Sequence, residues 1–136
     1  MIEVRVTRRF RMSRTGGLLA LLLALPATAH HSPAAFDPSM PVSVSGVVTA
    51  IEWASPHARL KVDAPGADGK NVTWDFELPS PVTLMRRGWS RTSLKPGDKV
   101  AVTGIRAREF PLIAIARGVT DSSGKRLFSG TASSTE

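Results

Sequence analysis

The feature that most constrains this chain is a series of five segments in which apolar and polar residues alternate, with one short helical pattern between the third and the fourth. Alternation with a period of two is typical of strands that turn one face toward a core. In Asn71–Leu78, Trp74 and Phe76 fall on the inward side. The segments predict strands at Val42–Trp53, His57–Ala64, Asn71–Leu78, Lys99–Glu109 and Leu112–Thr120, with a short final pairing at Arg126–Phe128.

The helical pattern lies within Pro79–Gly88. Ser80 can cap a helix, Pro81 suits its first position, and Gly88 ends it. Three strands, a helix and two more strands is the order of an OB-fold, so we predict an all-β, five-stranded OB-fold-like Greek-key barrel with one short helix. Gly46 and Gly104 lie inside the first and fourth strands, where a bulge or bend would turn a barrel corner. A flat meander with the helix packed on it is the alternative.

Residues 1–29 predict a cleaved export signal. Basic residues between Arg8 and Arg14 precede an apolar run from Gly16 to Leu25, and Ala27–Ala29 has the small residues that a signal peptidase accepts. The apolar run is too short for a bilayer, which needs about 20 residues. We therefore expect a periplasmic protein without a stable membrane anchor, and synthesis from Met12 would leave a complete signal.

Composition limits what the rest can do. The chain of 136 residues has no cysteine, which excludes disulfides, thiolate metal sites and cysteine nucleophiles. Five arginines and one glutamate precede His30, so residues 30–136 carry only +3 of the net +7, and we expect no nucleic-acid partner. We expect an extended arm at 30–41 with Phe36 as an anchor, the barrel at 42–128, and a disordered tail at 129–136.

The three histidines are the candidate metal ligands. Cleavage after Ala29 would make His30 the first residue, and its free amine and imidazole, with His31 or another imidazole, would form a nitrogen set suited to Cu(II). Cleavage one residue earlier would place a histidine third, which also binds Cu(II). The third histidine is His57, at one barrel end, and the arm could fold back to bring His30 near it. Alternatively, His57 is a structural turn residue whose ring bonds a carbonyl.

No arrangement of nucleophile, base and acid is present, so we predict a binding module and not an enzyme. Asp75 and Glu77 fall on the outward side of the third strand, where we expect them to pair with Arg59, Lys61 or Arg86 on a solvated face. The alternative function is a metal-free barrel that binds a small ligand or a protein of the periplasm. Its predicted contact residues are Trp53, Arg86, Arg87 and Trp89, although Trp89 would also cap the barrel.

The chain from His30 to Phe128 resembles an uncharacterised family of small exported bacterial proteins. The resemblance implies export and a small β-barrel, and it implies no activity. It rests on His30-His31-Ser32, Phe36-Asp37, Pro41-Val42, Gly46-Val47-Val48, Glu52-Trp53, Pro56-His57, Trp74-Asp75-Phe76-Glu77, Leu84-Met85-Arg86-Arg87-Gly88-Trp89, Leu94-Lys95-Pro96-Gly97-Asp98 and Val102-Thr103-Gly104.

Overall fold

The computed structural model describes residues 35–130, which form six strands and one short helix. No helix in this described part is long and apolar enough to cross a membrane. The predicted export segment lies outside the described residues. The elements are β1 (Phe36–Glu52), β2 (Arg59–Pro65), β3 (Asn71–Glu77), α1 (Pro81–Arg86), β4 (Lys99–Ala107), β5 (Ile113–Asp121) and β6 (Arg126–Ser129).

Five of the strands close into a ring. β1 pairs antiparallel with both β2 and β4, β2 pairs with β3, and β4 pairs with β5. The ring is closed by a parallel pairing of β3 with β5, in which Glu77 lies opposite Ile115. The resulting order β1-β2-β3-β5-β4, with a helix between β3 and β4, is that of an OB-fold barrel. The predicted fold class is confirmed, and the flat meander is wrong because β3 and β5 pair. β6 extends the sheet beyond β5.

β1 turns the corner of the barrel at Gly46. Its pairing with β4 ends at Val47, and its pairing with β2 begins at the same residue. A Cβ atom on Gly46 would lie 2.1 Å from the carbonyl oxygen of Asp63 on β2, which is far inside van der Waals contact. The strand can change partners here because this position has no side chain.

The barrel interior takes the inward residues of each strand. Leu60, Phe76 and Val102 are fully buried, and α1 adds Leu84 across one barrel end. The helix begins as predicted: the Ser80 hydroxyl accepts a hydrogen bond from the Thr83 backbone N–H at 3.2 Å, and Pro81 follows the cap.

Two boundaries differ from the prediction. β1 begins at Phe36, not at Val42, because Phe36 pairs with Ala107 and packs in a second apolar cluster with Ala107 and Ile115. The β1–β4 register shifts between Phe36 and Pro41, and this irregular stretch accommodates the prolines on which the prediction of an extended arm was based. β6 extends to Ser129, so the predicted tail does not begin there.

Candidate functional site

The loop that joins β1 to β2, residues 53–58, is called here the L12 loop. It begins with Trp53 and ends with His57 and Ala58. Ala58 is buried, donates its N–H to the Pro79 carbonyl and accepts from the Leu78 N–H, at 3.2 and 2.9 Å. These bonds extend the β2–β3 ladder by one step and hold His57 beside the last residue of β3.

That residue is Glu77, which connects His57 to Arg59 and Asp75. These four residues are called here the charge cluster. The Oε1 atom of Glu77 lies 3.5 Å from His57 Nε2, and its Oε2 atom lies 3.7 Å from Arg59 Nη1. Arg59 also binds Asp75 with two nitrogens, Nε at 2.9 Å and Nη2 at 2.8 Å. The hydrogen bond to Asp75 raises the pKa of Arg59, so the guanidinium stays charged between the two carboxylates.

The burial of Glu77 corrects the prediction that both acids lie on a solvated face. Glu77 alternates with the core residues Phe76 and Leu78, so it does point away from the barrel interior, and Arg59 is its predicted partner. Yet Glu77 is only 3% exposed. Its neighbour across the parallel pairing is Ile115, which belongs to the second apolar cluster on the same outer face.

Two buried side-chain atoms in residues 35–130 have no hydrogen-bond partner, and both belong to the L12 loop: Trp53 Nε1 and His57 Nδ1. A buried polar atom without a partner is unfavourable by roughly 1–3 kcal/mol, so such atoms are rare and call for an explanation. Among residues 35–130 no backbone carbonyl bonds the His57 ring, so the carbonyl contact expected for a structural turn residue is not found there.

His57 is the one predicted metal ligand that the structure describes, since His30 and His31 lie outside the described residues. Within residues 35–130, no group of three or more histidine, cysteine or acidic side chains is placed to hold a metal ion. The charge cluster contains one imidazole nitrogen, His57 Nδ1, that has no partner among the described residues, and the Glu77 carboxylate lies near the other ring nitrogen. A complete site would need ligands from elsewhere in the chain.

The predicted contact residues of the alternative, metal-free site have different environments in the structure. Trp89 is buried and donates its indole N–H to the Leu127 carbonyl, as its predicted capping role requires. Arg87 lies over the Phe128 ring at 5.5 Å and donates to the Ser129 carbonyl at 3.3 Å. Arg86 is exposed on α1. Trp53 is half-buried, and its ring lies 5.8 Å from the Arg91 guanidinium.

Arg87 and Trp89 line a pocket of about 400 Å³ together with Lys125 and Arg126. Lys125 lies in the β5–β6 turn, and Arg126 is the first residue of β6. The sequence analysis missed them because only the pairing of β6 with β5 brings that turn beside the end of α1.

Known proteins offer a family model and a solved structure for comparison with this chain. A family model described as "Family of unknown function (DUF6152)" matches residues 19–112 and so ends immediately before β5. No curated protein matches. A solved structure similar to this chain is the mitochondrial single-stranded DNA binding protein Rim1 from S. cerevisiae. It is 13% identical, with a TM-score of 0.46 over 70% of this chain and 98% of that one.

Proposed function

Because the chain belongs to the DUF6152 family, whose function is unknown, we propose its function from the geometry around His57 in the L12 loop. The protein is an exported binding module, not an enzyme, and its ligand is a divalent transition metal, Cu(II) first. The ligands are His57 and the amino-terminal histidines His30 and His31. One observation carries the proposal: among residues 35–130, the buried His57 Nδ1 has no hydrogen-bond partner, while Nε2 faces the carboxylate of Glu77.

This arrangement matches how proteins prepare a histidine for a metal. A metal-binding imidazole usually donates its other N–H to a carboxylate, which fixes the tautomer and makes the free nitrogen more basic. Here the carboxylate of Glu77 would accept a hydrogen bond from Nε2–H, which leaves the lone pair on Nδ1. Arg59 holds Glu77 in turn, so the carboxylate is itself positioned. Neutral imidazole nitrogens are ligands that suit copper.

The amino-terminal histidines are within reach of His57. The described chain starts at Ala35, which packs against the second apolar cluster on the same outer face as Glu77. From Phe36 to Glu77 the path crosses β4 and β5, three strand spacings or about 14 Å. The five residue-to-residue steps from His30 to Ala35 span up to about 17 Å when the chain is extended.

Export would complete the ligand set. Cleavage after Ala29 frees the amine of His30, which chelates a metal together with its own imidazole. A free α-amine titrates near pH ~7.7–8.0 and an imidazole near ~6.5, so protons compete with Cu(II) in mild acid. The proposal therefore also predicts weaker binding as the pH falls through this range.

The test uses protein exported by a bacterial host with its own leader and recovered from the periplasm. Mass spectrometry identifies the new amino terminus, and Cu(II) titration against a competing chelator gives the affinity. We expect an amino terminus at His30 or Ala29. His57→Gln should bind Cu(II) more weakly by about tenfold or more, and Glu52→Gln, an exposed acid beside the same loop, should not.

Two results would overturn the proposal. One is an unprocessed amino terminus, which would leave no free amine at His30 or at Ala29 beside it. The other is a wild-type affinity equal to that of a free His-His-Ser peptide and unchanged by His57→Gln, because the barrel would then contribute nothing.

The second candidate is a metal-free barrel that binds a ligand at the surface of Arg87 and Trp89. The pocket that these residues share with Lys125 and Arg126 favours it.

A further inference from the structure

The pocket beside the end of α1 is called here the basic pocket. It encloses about 400 Å³, within the range of small-molecule sites. Its wall comes from three places: Arg87 and Trp89 after α1, Ser93 in the following loop, and Asp121, Lys125 and Arg126 around the β5–β6 turn. It shares no residue with the charge cluster at His57.

Two of the walls are held rigidly. The buried Trp89 donates its indole N–H to the Leu127 carbonyl, which fixes the ring against the outer edge of β6. The Arg87 guanidinium is held by the Phe128 ring and by the Ser129 carbonyl. A binding site with preorganised walls loses less conformational entropy when its ligand binds.

The Asp121 carboxylate is occupied by its own turn. Its Oδ1 atom accepts from the Ser123 hydroxyl at 2.6 Å and from the backbone N–H groups of Ser123 and Lys125 at 2.9 and 3.0 Å. These bonds, the one from the Ser123 side chain first, lower the pKa of Asp121 and keep it ionised. The carboxylate therefore shapes the turn that presents Lys125 and Arg126.

Two exposed cations of the pocket, Lys125 and Arg126, have no side-chain partner among residues 35–130. In the part of the chain that the structure describes, neither Lys125 Nζ nor the Arg126 guanidinium makes a salt bridge or a hydrogen bond. By contrast, Arg59, Lys61 and Lys95 are each paired with a carboxylate. Lys125 and Arg126 together outnumber the one carboxylate of the pocket, Asp121, whose Oδ1 is held by its own turn, so this wall of the pocket is positively charged.

We propose that the basic pocket binds a phosphomonoester dianion. Lys125 and Arg126 supply the positive charge that attracts such a group, and their ammonium and planar guanidinium are strong hydrogen-bond donors to phosphate oxygens. Ser93 adds a hydroxyl, whose oxygen already accepts from the Ser90 N–H and whose hydrogen can point to the ligand. The same phosphomonoester group occurs on small phosphorylated molecules and on the lipid phosphatidic acid. The two arms of the test below distinguish these sources.

The test is a titration of the isotope-labelled protein, in which binding is measured from changes in the amide chemical shifts. One arm uses inorganic phosphate and glycerol phosphate, and the other measures sedimentation with phosphatidylcholine vesicles with and without phosphatidic acid. We expect saturable shifts at Ser93, Lys125 and Arg126. Lys125→Gln and Arg126→Gln should each weaken binding by about tenfold, the effect of one lost charge-assisted hydrogen bond.

Lys70→Gln is the matched control, because Lys70 is an exposed lysine in the β2–β3 hairpin, away from the pocket. It should leave binding unchanged. Saturation with glycerol phosphate identifies a soluble ligand, and binding confined to phosphatidic acid vesicles identifies a lipid headgroup. Absence of saturable binding in both arms overturns the proposal, as does a Lys70→Gln loss equal to that of the pocket variants.

Discussion

The carboxylate of Glu77 lies 3.5 Å from His57 Nε2, on a strand face that points away from the barrel core, yet Glu77 is only 3% exposed. A buried carboxylate is unfavourable unless charged and hydrogen-bonding partners compensate it. Arg59 supplies the positive charge and is itself held by Asp75. The pair of His57 and Glu77 therefore links the L12 loop to β3 through a buried carboxylate. A substitution of Glu77 should affect both the stability of the fold and the proposed binding of Cu(II).

The first prediction concerns stability. Glu77→Gln keeps the size of the side chain but removes the charge that faces Arg59, so we expect a loss of about 1–3 kcal/mol in the free energy of unfolding, measured by urea denaturation. Glu52→Gln is the control. Glu52 pairs with Lys61 on the exposed surface, where water screens the pair, and no measurable shift of the midpoint is expected. Equal effects of the two substitutions would contradict a special role for Glu77.

The same substitution tests the metal proposal through a different measurement. If Glu77 orients His57, Glu77→Gln should lower the affinity for Cu(II) by about 10–100-fold, as seen for carboxylates behind metal-binding histidines. The titration should be run where the variant is fully folded, so that the affinity change is separate from the stability loss. An unchanged affinity would mean that the pair serves the fold alone.

The sequence predicted the barrel because its fold depends on local alternation and on the order of elements. Period-two patterns identified the strands, and Ser80, Pro81 and Gly88 bounded the helix. The start of β1 was missed because Pro38 and Pro41 weaken a strand pattern. Only the tertiary burial of Phe36 shows that the strand begins there.

The site was harder to predict, for a physical reason. Alternation shows which face of a strand Glu77 occupies, but not what covers that face, so its burial beside Ile115 had no local signal. His57 was found because histidines are few in this chain. Lys125 and Arg126 were missed because they join Arg87 only through the pairing of β6 with β5.

Gly46 provides a test of the barrel corner. Gly46→Ala would place a methyl group 2.1 Å from the Asp63 carbonyl oxygen, and backbone atoms cannot move aside cheaply. We expect a destabilisation of about 2–4 kcal/mol, in the range of severe overpacking. Gly69→Asn is the comparison, because Gly69 has a φ of 78° in an open turn and asparagine tolerates that conformation. It should have a far smaller effect in the same denaturation experiment.

Replacement by phenylalanine should affect stability differently at two tryptophans. Trp89, after the helix, is buried, and Trp53, in the L12 loop, is half-buried. Trp89→Phe removes the hydrogen bond to the Leu127 carbonyl, and we expect a loss of about 1–2 kcal/mol with faster amide exchange in β6. Trp53→Phe also shortens a ring that packs against the core, but it removes an indole N–H that has no partner among residues 35–130, so its loss of stability should be smaller than that of Trp89→Phe. An equal or larger loss for Trp53→Phe would contradict this ranking.

The last prediction is a pH dependence that starts at the β5–β6 turn. The hydrogen bonds that Asp121 accepts, first from the Ser123 side chain, lower the pKa of its carboxyl below the ordinary value of 3.8. A lowered pKa in the folded state means that the unfolded chain binds the proton more readily. The stabilisation is therefore complete above about pH 4, the unfolded value, and is lost as the pH falls through the folded pKa. Ser123→Ala should raise the pKa of Asp121 toward 3.8, as measured by NMR titration of the carboxyl. Asp121→Asn should lose less thermal stability than the wild type between pH ~5 and pH ~2, and an equal loss in the two proteins would show that this turn does not contribute to the acid sensitivity.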